Sequence, residues 1–200
     1  MSNPTLFFST PVWVSKIENY KETNEQIFNY IKKLQNEDSD GLTRSNVRGW
    51  HSKEFDLKTA EPQNFIKLIL PNIEKVINDM NWDNNKQSIK ITEMWAIVNK
   101  GGAENSRHHH GNSSISGAYY VRAPINSGDI VFYDPRPAPV YTYPKAKNPN
   151  LLNAQVNGIS PKEGALVLFP SYLDHSVNEN LSNEERIVIS FNITIQIKSN

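Results

Sequence analysis

No cysteine occurs among the 200 residues. That absence removes disulfides, thiolate–zinc sites, iron–sulfur clusters and cysteine nucleophiles. Net charge is missing too: 21 Lys and Arg balance 21 Asp and Glu. No overall field therefore draws the chain to nucleic acid or to an anionic membrane surface. No apolar run approaches the roughly 18 residues of a membrane-spanning helix, and Leu6-Phe7-Phe8 is too short to serve as the apolar part of a signal segment. A soluble cytoplasmic protein is expected. The length suits one domain with a substantial core.

What is present divides near residue 88. Thr5 to Ile17 carries Leu6, Phe7, Phe8, Val12, Trp13, Val14 and Ile17 around Pro11. It reads as a broken edge strand, where proline is tolerated. Thr23-Asn24-Glu25-Gln26 has the form of a capping box, and Ile27, Tyr30, Ile31 and Leu34 follow at helical spacing, so a helix is predicted over 24–36. A second helix is predicted from Pro62, with Phe65, Ile69, Ile73, Val76, Ile77 and Met80 along one stripe. Pro71 is expected to kink or restart it. Strands are predicted over 89–99, 116–122, 129–133, 140–143, 154–157 and 165–169. In the last stretch Ile187, Ile189, Phe191, Ile193, Ile195 and Ile197 alternate with Val188 and polar residues. Helices followed by about seven short strands predict an α+β chain whose C-terminal half is a two-sheet sandwich or jelly roll. Residues 1–200 are expected to form one domain, 1–88 as strand and helical support and 89–200 as the core.

Three of the five histidines are consecutive, in Arg107-His108-His109-His110-Gly111. Along an extended backbone His108 and His110 share one face and His109 takes the other. Two imidazoles on one face suit Fe, Cu, Zn or Ni, although a bare run of this kind reads more readily as a solvated polar loop. His175 follows an apolar strand and a turn, Gly164-Ala165-Leu166-Val167-Leu168-Phe169-Pro170, and Arg186 heads the last strand. Only a folded-back sheet could bring His110 and His175 together. The fifth histidine lies in Gly49-Trp50-His51-Ser52, which reads as a turn with a buried tryptophan or, alternatively, as a substrate contact.

Taken in order, His-x-His, Ser116-Gly117-Ala118-Tyr119-Tyr120, Asp134-Pro135-Arg136, the Gly164 to Pro170 strand, His175 and Arg186 resemble the iron(II)- and 2-oxoglutarate-dependent dioxygenases. The likeness is strongest to a subfamily of short bacterial and phage proteins. It extends over nearly the whole chain, including Pro11-Val12-Trp13 and the segment from Trp95 to Asn192. The resemblance implies a double-stranded β-helix, the distorted, cupin-like jelly roll, with N-terminal helices packed on one sheet. It implies oxidative hydroxylation of a substrate, with 2-oxoglutarate converted to succinate and CO2.

The resemblance also implies roles. His108 and His175 fall on the family's two histidine ligands. His110 stands where a carboxylate is usual, so His108, His110 and His175 form the expected triad, and three neutral imidazoles leave more charge on the ion than the usual set. Fe(II) is the implied metal, with Ni, Zn and Cu also compatible. Asp134 or Asp174 supplying a carboxylate, or His109 coordinating in a shifted register, are the other readings. Arg186 matches the arginine that binds the distal carboxylate of 2-oxoglutarate, since a guanidinium fork fits a carboxylate. Tyr120 and Ser116 match a second contact to that cosubstrate, and strand parity puts Ser116, Ala118 and Tyr120 on one face. Ser190 is a weaker candidate. Asp134-Pro135-Arg136 reads as a substrate contact at the mouth or as a closed turn.

Two further readings stay open: a cupin-like three-histidine metalloprotein and a non-catalytic binding protein on the same fold. Cupins place a glutamate where Ser114 and Ile115 stand here. The substrate, small molecule or protein, is not specified by these residues. No nucleic-acid or membrane partner is expected, and an edge strand over 6–14 could pair across a homodimer.

Overall fold

Strand β11 (Arg186–Ile197) runs through the middle of the larger sheet, and its alternation explains how the fold is layered. Ile187, Ile189, Phe191 and Ile193 are buried in an apolar cluster shared with the helices. Arg186, Val188, Ser190 and Asn192 face the other way, into a cavity. The computed structural model describes residues 4–83, 85–136 and 144–197.

Among those residues the chain is mostly β, with two helices and two antiparallel sheets. In chain order the elements are β1 (Trp13–Lys16), α1 (Tyr20–Glu37), β2 (Asn46–Val47), β3 (Trp50–His51), α2 (Ala60–Asp79), β4 (Gln87–Asn99), β5 (Glu104–His108), β6 (Ile115–Arg122), β7 (Ile130–Tyr133), β8 (Val156–Ile159), β9 (Ala165–Pro170), β10 (His175–Val177) and β11. The larger sheet has the order β1-β9-β6-β11-β4-β3 and the smaller β2-β5-β10-β7-β8. No helix among the described residues is long and apolar enough to cross a membrane.

The helices pack on the outer face of the larger sheet. Phe65, Ile69, Ile73, Val76 and Ile77 of α2 join Ile27 and Ile31 of α1 against Leu166, Leu168, Tyr119 and Val121. Asn24 ties α1 to β6: its Nδ2 donates to Val121 O at 2.8 Å and its Oδ1 accepts from Tyr119 Oη at 2.7 Å. The opposite parity of the same strands, Ala118, Tyr120, Val167, Phe169 and Val188, packs with Ile130, Phe132 and Leu173 of the smaller sheet's side. Gly117 permits the tight layering here, because a Cβ at that position would run into the Phe191 ring.

Several expectations need correction. Helix α1 begins at Tyr20, so Thr23 lies inside it and forms no capping box. Tyr20 packs over Gly164, which has φ +75°, and this contact favours an extra turn at the start of the helix. Of the two outcomes expected at Pro71, the restart does not occur: helix α2 runs through it, since burial of Ile69 and Ile73 on either side outweighs one lost backbone bond. The edge strand is confined to Trp13–Lys16, with 4–12 outside any strand. Two short strands from the first half, β2 and β3, enter opposite sheets, so strands do not simply follow helices. The strand expected over 140–143 lies outside the described residues. Strand β10 begins at His175, directly after the turn that follows the apolar strand, as the sequence order implies; β5, which carries His108, is the unexpected strand, because its sequence is polar.

Candidate metal centre

Between the sheets lies a cavity of about 680 Å³. Its deep wall carries His108, His110 and His175. Antiparallel pairing of β5 with β10 puts His108 opposite His175 in register. His110 N donates to Ser171 O at 2.9 Å, which bends the chain after β5 back toward the larger sheet. One ring nitrogen from each of the three histidines lies within 4.8 Å of the others, close enough to share one ion. The ring centroids stand 4.3 Å apart for His108 and His175, 5.2 Å for His108 and His110, and 5.3 Å for His110 and His175.

Burial keeps these rings neutral. Desolvation lowers the pKa of all three, to about 4 for His110 and about 3 for His175, and the neighbouring imidazoles push the same way. Neutral imidazole is the form that binds metal. His108 Nδ1 donates to Ser106 O at 2.7 Å and His175 Nδ1 to Leu173 O at 3.0 Å. A carbonyl only accepts, so both rings carry their proton on Nδ1 and leave Nε2 free as a ligand atom. Phe169 packs against His175 at 4.7 Å and excludes water from that side.

Arg186 is 1% exposed, yet it borders the same cavity. Its Nη1 donates to the carbonyls of Ser127, Gly128 and Asn178. Its Nη2 is buried with no hydrogen-bond partner. An unsatisfied guanidinium N–H in a dry pocket is costly, and a carboxylate would satisfy it bidentately. Tyr120 also lines the cavity, and burial pushes its pKa up to about 12 while Arg186 pulls it down. Its neutral hydroxyl can donate to the same anion. These groups fit the metal and the dicarboxylate that the motif order implies.

Ser116 lines the cavity as well, but its hydroxyl is committed elsewhere. It meets Ser171 Oγ at 2.8 Å and donates to Asn192 Oδ1 at 2.8 Å. Asn192 Nδ2 in turn reaches Glu93 and faces His110 Nδ1 at 3.4 Å. Ser190 borders the cavity, while none of Asp134, Pro135 and Arg136 does. Asp134 instead closes a turn, accepting from the Arg136 backbone at 3.0 Å and from its guanidinium at 3.0 and 2.8 Å. Asp174 has both oxygens engaged by Arg107 and His109. Neither carboxylate joins the histidine cluster, and His109 lies outside it.

Sequence reasoning missed part of the cavity wall. Trp95 on β4 stacks parallel on His51 with centroids 5.7 Å apart and tilts toward His110 at 5.8 Å. Trp50 is the buried residue of its turn, its Nε1 donating to Asp38 O, whereas His51 reaches the cavity. Alternation along 89–99 could have nominated Glu93, Trp95 and Ile97 as one face.

The chain belongs to the family whose model is described as "Putative 2OG-Fe(II) oxygenase", which matches residues 93–192, half of its length. It is thereby an oxidoreductase of the class that uses iron(II) and 2-oxoglutarate. A search of curated proteins returned no match. Among solved structures it is similar to a Pseudomonas putida prolyl-4-hydroxylase, at 13% identity and TM-score 0.63 over 92% of this chain and 93% of that one. It is also similar to a viral collagen prolyl hydroxylase from Paramecium Bursaria Chlorella virus-1, solved with 2-oxoglutarate, at 13% identity and TM-score 0.58 over 91% and 94%. HygX from Streptomyces hygroscopicus, with nickel and 2-oxoglutarate bound, matches at 11% identity and TM-score 0.62 over 92% and 83%.

Proposed function

We propose that His108, His110 and His175 hold the metal of this oxygenase, and that Arg186 with Tyr120 binds the distal carboxylate of 2-oxoglutarate. The observation that carries the reading is one cavity holding three convergent neutral imidazoles and a buried arginine whose Nη2 lacks a partner. Fe(II) is the metal we assign, since imidazole suits it and the family uses it; nickel in HygX supports occupancy by other divalent ions. When bound, the metal supplies the oxygen chemistry that turns 2-oxoglutarate to succinate and CO2 and hydroxylates a substrate.

The protein's own contribution is placement and charge. Ser106 O and Leu173 O fix the ring orientation of His108 and His175. Ser127, Gly128 and Asn178 hold Arg186 in place, so that a carboxylate meets a fork that needs no further ordering. Apolar Ile130, Phe169 and Val188 keep water from the anion's stem. Ser116 acts through Asn192 on this reading, rather than on the cosubstrate.

The two sheets with helices on one outer face are what a double-stranded β-helix requires, and we read the fold as that jelly roll. Residues 1–200 then form one domain, with 1–88 as support and 89–200 as core, working in the cytoplasm. Leu42, Arg44, Glu54 and Trp95 line the cavity, Arg44 and Glu54 at exposed positions, and on this reading the substrate enters beside them. Relatives are solved with a hypoxia inducible factor peptide in one case and hygromycin B in another; a protein side chain and a small molecule both fit such an opening.

The test is oxygen-dependent release of succinate from 2-oxoglutarate by the Fe(II)-loaded protein, with equilibrium metal binding measured beside it. Wild type should bind one divalent ion and turn over slowly without substrate, and His175→Ala should lose both. No metal uptake by the wild type would sink the reading.

A further inference from the structure

The two strands that carry His108 and His175 have little backbone pairing to align them. β5 and β10 register at His108 with His175 and at Asn105 with Val177, with an irregularity in between. Since side chains alternate, ligands turned toward the cavity put His109 and Asp174 on the opposite face, behind the metal site, and Arg107, which also borders the cavity, reaches round to join them. A connected cluster stands there. Asp174 Oδ2 accepts from Arg107 Nε at 2.9 Å and Nη2 at 2.7 Å. Asp174 Oδ1 faces His109 Nδ1 at 3.0 Å.

The cluster extends to a third strand. The Arg107 guanidinium lies 4.0 Å over the Tyr133 ring. Tyr133 N donates to Asp174 O at 3.0 Å, and its hydroxyl meets Ser176 Oγ at 3.0 Å. Arg107 and Asp174 each immediately precede a histidine of the cluster. One ion pair, braced on an aromatic face, thus spans β5, β10 and β7 at the level of the imidazoles.

We propose that Arg107, acting through Asp174, is a positioning residue of the metal centre. It aligns His108 with His175 where the backbone ladder does not. The proposal rests on the reading of His108, His110 and His175 as ligands. An exposed ion pair adds little to global stability, so its effect falls on local geometry. A forked guanidinium fixes direction as well as distance, which a point charge does not.

Charge and positioning predict opposite signs at this residue. A cation beside a dication disfavours metal binding, so deleting Arg107 on charge grounds alone would tighten it. Deleting a clamp would weaken it.

The experiment is calorimetric titration of Co(II) into the metal-free wild type, Arg107→Ala, Arg107→Gln and Arg107→Lys, without 2-oxoglutarate or substrate. Thermal midpoints of the metal-free proteins and the ligand-field absorption of bound Co(II) are recorded alongside. Affinity should fall about 10-fold or more in the Ala and Gln variants, the range typical of groups that orient metal ligands. Their Co(II) spectra should change while thermal midpoints stay near wild type, and Arg107→Lys should recover part of the affinity. Arg107→Gln decides the matter if Arg107→Ala folds poorly. Co(II) bound as tightly as in wild type, or more tightly, by these neutral variants overturns the proposal. Failure of the wild type to bind Co(II), or undiminished binding by His175→Ala, overturns the proposed function instead.

Discussion

Nδ2 of Asn192 and Nδ1 of His110 face each other across 3.4 Å. The other two imidazoles point the same ring atom at a backbone carbonyl. The Asn192 amide turns its NH2 toward Glu93 and its oxygen toward Ser116, so it offers His110 a donor. A donor at this point suits an anionic acceptor better than a ring N–H. His110→Asp should therefore keep Co(II) binding to within about 10-fold of wild type, while His110→Ala loses more than that. Calorimetry on the metal-free proteins checks both, and equal losses would show that the amide has no such preference.

Arg186→Lys should separate cosubstrate binding from metal binding. Lysine keeps the charge but cannot satisfy three carbonyls and still present a fork to a carboxylate. Losing one charge-assisted contact costs about 1.5–3 kcal/mol, or roughly 10- to 100-fold in 2-oxoglutarate affinity. Co(II) affinity without 2-oxoglutarate should be unchanged. A ligand titration followed by the Co(II) spectrum reads both numbers.

The buried imidazoles make the metal-free protein sensitive to acid. His175 is held neutral down to about pH 3 in the folded state, against 6.5 for the ordinary side chain. Above 6.5 both states leave it neutral, and stability is unaffected. Below 6.5 the unfolded chain takes up a proton that the folded chain refuses, so stability declines as pH falls from 6.5 toward 3. Between pH 7.5 and 5.5 this residue should contribute a loss of about 1 kcal/mol. Urea midpoints of the metal-free protein at those pH values measure it, and His175→Ala should show a smaller difference.

Asn24→Ala should destabilise the fold without touching the cavity. It would strand Val121 O and the Tyr119 hydroxyl in the layer between α1 and β6. Leaving buried polar groups unpaired costs about 1–3 kcal/mol each. A lower urea midpoint with unaltered Co(II) affinity is expected. Asn24→Asp, which keeps an acceptor for Tyr119 but turns a buried carboxylate oxygen against Val121 O, should cost more than Asn24→Ala.

Alternating positions were legible because burial imposes them. Strand parity in 116–122 puts Ser116, Ala118 and Tyr120 on one face, and in the structure that face lines the cavity while Tyr119 packs in the cluster shared with the helices. The order of His108, His175 and Arg186 was legible for a different reason, the resemblance of spaced motifs. One polar strand was not legible: Glu104–His108 lacks the apolar alternation by which strands are recognised. The start of α1 was misplaced because the Tyr20 contact with Gly164 is tertiary and overrides the local capping pattern. Trp95 and Glu93 were not singled out because a predicted strand over 89–99 does not by itself say which of its two faces meets a cavity.

β11 alternates between two duties, with Arg186, Val188, Ser190 and Asn192 on one side and Ile187, Ile189, Phe191 and Ile193 on the other. Point substitutions on this strand can therefore alter recognition or packing one at a time. A one-residue insertion or deletion within it cannot, because it would turn isoleucines onto the imidazoles and drive a guanidinium into the helix layer at the same step. A change of length is therefore tolerated better in the loops on either side than within this strand.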